Sequence, residues 1–286
     1  MLQQDCIVLT VSRPGYIIFL ILMRNSQIHE NQGGLRMKKL LILSAAAAIL
    51  LFSLSVSAVD KIYFSDNGND RVMRCDLDGS GLEVLVPSVG EVGSMAIDPT
   101  GGKIYWTDRG DSTICRANLD GTGMEVLLSG LYGPMGLDLD VAGGKMYWTQ
   151  YTVNVIRRAN LDGTGMEDLV TTGLSHPAGI VLDPEANLMY WADGATQYSA
   201  KIQKASLDGA NIQTIVEDPL IAPQEIGLDR DAGKLYITDI GTDTLYRANV
   251  DGTGLEELIP SEYGTMPSLA LDIDSGWIYF SDYGGY

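Results

Sequence analysis

At 286 residues, with 45% hydrophobic and 20% charged residues, the chain has the composition of a globular protein long enough to bury a large core. Its formal net charge is −18, and because residues 1–58 hold five of the 19 basic and two of the 37 acidic residues, 14 basic residues face 35 acidic ones in the remainder. A surface this acidic argues against nucleic acid or anionic lipid and favours basic or neutral partners, although solubility alone would also explain the charge.

The first predicted element is an export signal over residues 37–58. A basic start, an apolar stretch and small residues at the end form the pattern of a secretory signal peptide that is cleaved after Ala58. We therefore expect a secreted protein, periplasmic or extracellular, without a membrane span in the mature chain. Residues 1–36 precede this signal, where they would not normally stand. We interpret them as an upstream extension from a start codon assigned too early, and residues 59–286 as the functional domain.

From residue 61 onward one phrase returns six times, as KIYFSD, KIYWTD, KMYWTQ, LMYWAD, KLYITD and WIYFSD. The steps between its tyrosines are 42, 42, 43, 46 and 43 residues. Such a period indicates an array of one supersecondary unit.

Each repeat has the pattern of four antiparallel strands. Between residues 93 and 128, GSMAID and KIYWTD alternate with the period of two that strands require, and an Asp-Gly pair separates the third and fourth segments. That pair recurs at Asp78, Asp120, Asp162, Asp208 and Asp251. Four strands in about 42 residues predict an all-β fold, a β-propeller of four-stranded antiparallel blades.

The first strands of a propeller converge on its axis, where small side chains are required. Two and four positions before the Asp that ends each first strand, the residues are mostly Gly, Ala and Ser. Asp138 and Glu225 are the exceptions that would place a carboxylate near the axis.

The small-residue first strand ending in Asp, the YWTD-like second strand and the IxRANLDG third strand resemble the low-density lipoprotein receptor class B repeat, or YWTD repeat, from about Lys61 to the C-terminus. The resemblance implies a six-bladed propeller that works as an extracellular binding or spacing module without catalysis, and the signal makes this a secreted member of bacterial type. It also implies that the motif Tyr and Trp pack between blades and that the motif Asp bonds to backbone. By position these residues are Tyr63, Tyr105, Trp106, Asp108, Tyr147, Trp148, Tyr190, Trp191, Asp193, Tyr236 and Asp239.

Some copies depart from the motif. Phe64, Ile237 and Phe280 replace the Trp and Gln150 replaces the Asp, so we expect weaker contacts between blades there, especially around the third copy.

The number of repeats leaves the ring incomplete, with five full units and the start of a sixth. Either three strands of a sixth blade are missing, or residues 267–272 close a five-bladed ring and residues 277–280 are surplus. We favour an incomplete six-bladed ring, whose unpaired strand edges predict aggregation or pairing with a partner. Monodisperse, cooperatively unfolding protein over residues 59–286 would contradict that prediction.

The residues offer little catalytic chemistry. His176 is the only histidine after the signal, so neither a Ser-His-Asp triad nor a His-based zinc site is expected. We expect Cys75 and Cys115 to be buried free thiols, and the repeated turn Asp residues to be structural. The alternative is that Asp138 and Glu225 hold Ca²⁺ or perform acid–base work, as in six-bladed lactonases.

Strand order predicts a binding face. The loops after second strands and before first strands share one face, the top face, while the Asp-Gly turns lie on the other. Tyrosine is enriched at interface hot spots, so we expect a protein or peptide partner there. Two further readings are that these tyrosines only cover adjacent strands and that the protein is a structural cell-surface spacer. The top-face candidates are Arg109, Tyr132, Tyr151, Asn154, His176, Tyr198, Gln224 and Tyr263.

Overall fold

The computed structural model describes residues 61–194, 199–260, 265–273 and 276–281, together with the backbone of strands at 6–13, 16–24, 41–43 and 49–51. Each helix or strand element in these residues is a β-strand, so the described chain holds no helix long and apolar enough to cross a bilayer. In chain order the strands are β1 Cys6–Arg13, β2 Tyr16–Arg24, β3 Leu41–Leu43, β4 Ile49–Leu51, β5 Lys61–Asp66, β6 Arg71–Asp76, β7 Glu83–Val86, β8 Val92–Asp98, β9 Lys103–Asp108, β10 Thr113–Asn118, β11 Glu125–Ser129, β12 Pro134–Asp140, β13 Lys145–Gln150, β14 Val155–Asn160, β15 Glu167–Val170, β16 Ile180–Asp183, β17 Leu188–Asp193, β18 Lys201–Ser206, β19 Gln213–Val216, β20 Pro223–Asp229, β21 Lys234–Asp239, β22 Thr244–Asn249, β23 Glu256–Ile259, β24 Leu269–Asp272 and β25 Trp277–Ser281.

These strands form five four-stranded sheets and one five-stranded sheet. The four-stranded sheets follow chain order and are numbered as blades: β4–β7 is blade 1, β8–β11 blade 2, β12–β15 blade 3, β16–β19 blade 4 and β20–β23 blade 5. The sixth sheet has the order β24-β25-β2-β1-β3. The predicted fold class, a β-propeller with five units and the start of a sixth, is confirmed.

The last two described strands belong to the sixth sheet. β24 pairs with β25, and the inner strand of blade 1 is β4. The alternative in which residues 267–272 close a five-bladed ring is therefore wrong, because β24 begins a sheet of its own. Apart from strands β1 to β4, which pair with one another or with β5 and β25, residues 1–58 lie outside the described residues. The signal peptide and the upstream extension remain predictions.

Apolar side chains join the six sheets at six seams. Successive residues of a strand point to opposite faces, so the motif Tyr faces one neighbouring sheet and the residue after it faces the other. At each seam the Tyr of one sheet and the large residue of the next share one buried cluster. The pairs are Tyr63 with Trp106, Tyr105 with Trp148, Tyr147 with Trp191, Tyr190 with Ile237, Tyr236 with Phe280, and Tyr279 with Phe64. The motif residues named from the resemblance are all buried.

The inner strands approach closely, which explains their small residues. Gly136 donates its N–H to the carbonyl of Ala178 in the next blade at 3.2 Å, and a Cβ on Gly136 would collide with that carbonyl. Thr149 Oγ1 donates to the same carbonyl at 2.5 Å and accepts from Gly136 N at 2.9 Å. The motif Thr thus joins two inner strands, and a larger residue at position 136 would separate them.

Among the described residues, an arginine of the third strand reaches across three of the seams, a contact that the sequence pattern did not predict. Each Nη1 donates to a backbone carbonyl of the next blade, and the same guanidinium pairs with a Glu of its own outer strand. The three bonds join Arg74 to Leu119, Arg116 to Leu161 and Arg158 to Leu207, at 2.7, 3.0 and 3.1 Å.

We expect Arg158→Met to lower the free energy of unfolding by about 1.5 to 3 kcal/mol, because the carbonyl of Leu207 loses a charged donor. Glu167→Gln is the matched control, since it weakens only the half-exposed ion pair with the same guanidinium and should cost less than about 1 kcal/mol. Urea unfolding followed by tryptophan fluorescence measures both. Equal losses in the two variants would show that the ion pair, and not the seam contact, carries the effect.

Candidate functional site

In blades 2, 3 and 5 the two sets of top-face loops are hydrogen-bonded to each other through the backbone. Tyr151 donates its N–H to the carbonyl of Gly133 at 2.8 Å, and Ile240 donates to Ala222 at 3.0 Å. These bonds join the loop after the second strand to the loop before the first. These three blades therefore present paired loops at the top face.

The motif Asp fixes these loops in three copies. Asp239 is fully buried and its two oxygens accept four backbone N–H groups at 2.7 to 3.2 Å, those of Ile221, Ala222, Gly241 and Thr242. Asp108 accepts from Gly90 and Asp111, and Asp193 accepts from Ser175. A carboxylate has acceptor sites for about four donors, which is why one residue type serves both loops.

Gln150 makes the corresponding link in the third copy, but it donates the hydrogen bond to the loop, whereas the motif Asp accepts one. Its Nε2 donates to the carbonyl of Tyr132 at 3.2 Å, while its Oε1 accepts from Arg157 at 2.6 Å and from Trp148 at 3.4 Å. Arg157 is held in turn by Asp168 at 2.6 Å. Gln150 thus keeps the loop anchored. The weaker contacts between blades that are expected around the third copy remain a prediction.

An aromatic patch lies on the top face of blade 3 and the loop that leads into blade 4. It consists of Tyr132, Tyr151, Val153, Asn154 and His176. Tyr132 is 67% exposed, the largest value among the exposed large hydrophobic side chains of the described residues, and Val153 is 44% exposed. The rings of Tyr151 and His176 lie 4.7 Å apart at 50°, and His176 N donates to Asn154 Oδ1 at 2.7 Å. The patch therefore combines two exposed side chains with a packed aromatic pair.

His176 has an unusual backbone conformation. Its φ is 66°, in the left-handed region that non-glycine residues seldom adopt, and Asn154 beside it has a φ of 53°. The bond between His176 N and Asn154 Oδ1 holds this conformation and with it the position of the imidazole against Tyr151. Backbone strain of this kind is often found at binding sites.

Charge is unevenly distributed on the top face. The loops that bear the patch, 130–133, 151–154 and 171–179, contain no Asp, Glu, Lys or Arg. The loops on either side carry exposed acids, Glu91 and Asp111 on one side and Glu217 and Asp218 on the other. The patch is therefore a neutral region between acidic ones.

The remaining predicted top-face residues are less prominent. Arg109 is exposed and pairs with Glu91 at 3.3 Å. Gln224 lies in β20 and is half-buried, and its carbonyl accepts from Gly179 N at 2.8 Å, which links two inner strands. Tyr198 and Tyr263 lie outside the described residues. Val153 was missed, although an apolar residue inside the polar loop YTVN was a signal for it.

The two axial carboxyls are both partly buried. Asp138 on β12 accepts from Leu139 N and Leu182 N, each at 2.8 Å, and the second bond crosses to blade 4. Glu225 on β20 accepts from Ile226 N at 3.3 Å and lies against Gly179. Burial raises the pKa of Asp138 to about 6 and that of Glu225 to about 8, and the negative charge of Asp138 adds to the second rise. Glu225 is therefore largely protonated at neutral pH.

This pair makes a poor cation site. Calcium takes six to eight oxygen ligands, and a protonated carboxyl is a weak one. The described residues include no group of three or more His, Cys, Asp or Glu placed to hold a metal. Calcium binding and acid–base work at the pair remain predictions.

Both described cysteines are buried and free, as expected. Burial raises the pKa of Cys75 to about 12 and that of Cys115 to about 11. Because the thiolate is the nucleophilic form, neither residue is prepared for covalent catalysis at neutral pH.

A family model described as the low-density lipoprotein receptor repeat class B matches residues 187–229. The match begins just before β17 and ends with β20, which is one unit of second, third, fourth and first strands. One unit of this chain, residues 187–229, is therefore similar to the low-density lipoprotein receptor class B repeat. A search of curated proteins finds no significant match.

Several solved structures share the fold of this chain. A nidogen/laminin complex is 22% identical, with 98% of this chain and 98% of that chain covered and a TM-score of 0.69. Streptogramin B lyase is 17% identical, with 98% and 93% covered and a TM-score of 0.64. Hydrazine synthase of Kuenenia stuttgartiensis is 13% identical, with 80% and 72% covered and a TM-score of 0.64. At these identities the likeness shows the propeller fold alone, and these structures include enzymes.

Proposed function

We propose that this chain is a secreted, non-catalytic module that binds a protein partner at the aromatic patch of its top face. The observation that carries the proposal is Tyr132, a tyrosine 67% exposed on a loop whose backbone accepts a hydrogen bond from the buried Gln150. A tyrosine side chain has only two rotatable torsions, so it offers a large contact area on binding at a small cost in conformational entropy, which favours a contact site. The nidogen/laminin complex, whose structure resembles this chain, is consistent with a protein partner.

A propeller hydrolase is the second candidate. One observation favours it, because a carboxyl with a pKa near 8, such as Glu225, is able to exchange protons at neutral pH. A hydrolase accounts less well for the exposed aromatic patch. A purely structural spacer accounts for neither feature.

Site-specific photo-crosslinking tests the binding proposal. A benzophenone amino acid is placed at position 132 and, in a second protein, at position 126, where Val126 is comparably exposed on an outer strand. We expect discrete protein adducts from position 132 in the extracellular fraction of the native host, and few from position 126. Equal adduct patterns at both positions, or none at 132, would overturn the proposal.

A further inference from the structure

We infer that the partner presents an apolar or aromatic side chain flanked by basic residues. In this arrangement the aromatic patch receives the apolar side chain, and the acidic loops on either side attract the basic residues. The inference rests on the proposed function and specifies the chemistry of the partner at the same site.

The aromatic patch carries no charged side chain. The chain has a formal charge of −18, yet three neighbouring top-face loops contain no charged Asp, Glu, Lys or Arg. A region without acids removes the desolvation cost that a buried carboxylate would impose on an apolar contact. The patch therefore suits the uncharged part of a ligand.

The aromatic patch also forms a continuous contact surface across two loops. Tyr132 and Val153 lie on two loops of one blade that touch where Gly133 meets Thr152. Tyr151 N is bonded to Gly133 O, so the two loops keep a fixed relation. His176, packed on Tyr151, extends the surface towards blade 4. An apolar side chain of the partner would contact a preformed surface of aromatic and aliphatic atoms.

Acidic side chains lie on both sides of the aromatic patch. Asp70, Glu91 and Asp111 lie on the loops of blades 1 and 2, and Glu217 and Asp218 lie on the loop that enters blade 5. Arg109 is the single cation in these loops, and Glu91 pairs with it. A ligand with basic residues on both sides of its apolar anchor matches this arrangement, and the overall negative charge accelerates its approach.

Selection from a displayed random peptide library, with the full chain as bait, tests the inference. We expect the enriched peptides to share an aromatic or large aliphatic residue with Lys or Arg within a few positions on both sides. A synthetic peptide of the most enriched sequence serves as the probe for affinity measurements. Its affinity should fall at least tenfold between low and high salt, since exposed charges are screened.

Variants then locate the site. The double change Tyr132→Ala with Val153→Ser should weaken binding of that peptide by at least about tenfold, as expected for an interface hot spot. Val84→Ser is the matched control, because Val84 is 42% exposed on an outer strand, and it should leave the affinity unchanged. Charge reversal by Asp111→Lys with Glu217→Lys should also weaken binding about tenfold. Thermal unfolding verifies that each variant is folded.

The outcomes separate this inference from the proposed function. Enriched peptides without basic residues, or binding that survives both double variants, would overturn the inference. Adducts from position 132 in that case would leave the proposed function standing. No enriched peptide together with no adduct at position 132 would overturn both.

Discussion

Asp239→Ala should lower the free energy of unfolding by about 3 to 5 kcal/mol, measured by urea denaturation. The carboxylate is fully buried and is the acceptor for four backbone N–H groups from two loops. Each buried donor left without an acceptor costs about 1 to 3 kcal/mol, and water entering the space left by the side chain would recover part of that cost. Hydrogen exchange should accelerate first in loops 217–222 and 240–243, because they lose their common anchor.

Two controls make this prediction specific. Asp251→Ala removes a carboxylate that also accepts hydrogen bonds, from Thr253 N and Oγ1, but at an exposed Asp-Gly turn. Solvent replaces these bonds, so the loss should stay below about 1 kcal/mol. Asp239→Asn keeps one acceptor oxygen and turns an amide donor toward N–H groups, so it should fall between the two. If Asp251→Ala were as costly as Asp239→Ala, burial of the acceptor would not explain the effect.

Glu225→Gln should stabilise the protein at alkaline pH and make little difference in acid. Burial raises the pKa of Glu225 from 4.5 to about 8 in the folded chain. Below pH 4.5 the carboxyl is protonated in both states. Between about pH 4.5 and pH 8 the folded state holds a proton that the unfolded state has released, so the stability of the folded state falls as pH rises through this window. With about 1.4 kcal/mol for each tenfold change in proton affinity, the full loss is on the order of 4 to 5 kcal/mol.

The measurement compares melting temperature and urea midpoint at pH 5, 7 and 9. Wild type and Glu225→Gln should be close at pH 5 and should diverge progressively toward pH 9, with the variant more stable. Asp138 has a pKa of about 6 and adds a slope of the same sign at lower pH in both proteins. Glu217→Gln, at an exposed position, should follow wild type. Parallel curves for wild type and Glu225→Gln would show that the axial carboxyl is ionised in the folded protein.

Local patterns in the sequence predicted the strands well because the signals lie within one repeat. The phrase KIYWTD coincides with β9, and the Asp-Gly pair at Asp120 lies in the turn between β10 and β11. The seam contacts of Arg116 and Arg158 were missed, although each follows its motif Tyr by 11 residues, because their acceptors are backbone atoms 45 and 49 residues away. Every residue has a backbone carbonyl, so the residue types in a sequence do not show which carbonyl accepts such a hydrogen bond.

The candidate site was predicted in outline only. Strand order placed Tyr132, Tyr151 and His176 on one face, but which of these side chains is exposed depends on packing between loops of different blades. Tyr151 is partly covered by His176, whereas Tyr132 is not held in this way and extends into solvent. Such differences arise from tertiary contacts, which the alternation of residues within a strand does not encode.

The connections between strands vary in length at one end of the propeller and are constant at the other. In blades 2 to 5 the turn between first and second strands has four residues, and in blades 1 to 5 the turn between third and fourth strands has six. The step of 46 residues and the first step of 43 residues place their additions in the segments around loops 171–179, 194–200 and 217–222. The second step of 43 residues places its addition between β23 and β24. Comparison of the copies within one chain thus shows where the repeat tolerates a change in length. The added residues lie on the top face, which bears the patch, whereas the turns at the opposite face have the same lengths in these blades. The top-face loops can therefore change in length, and with it in binding specificity, without altering the contacts between blades.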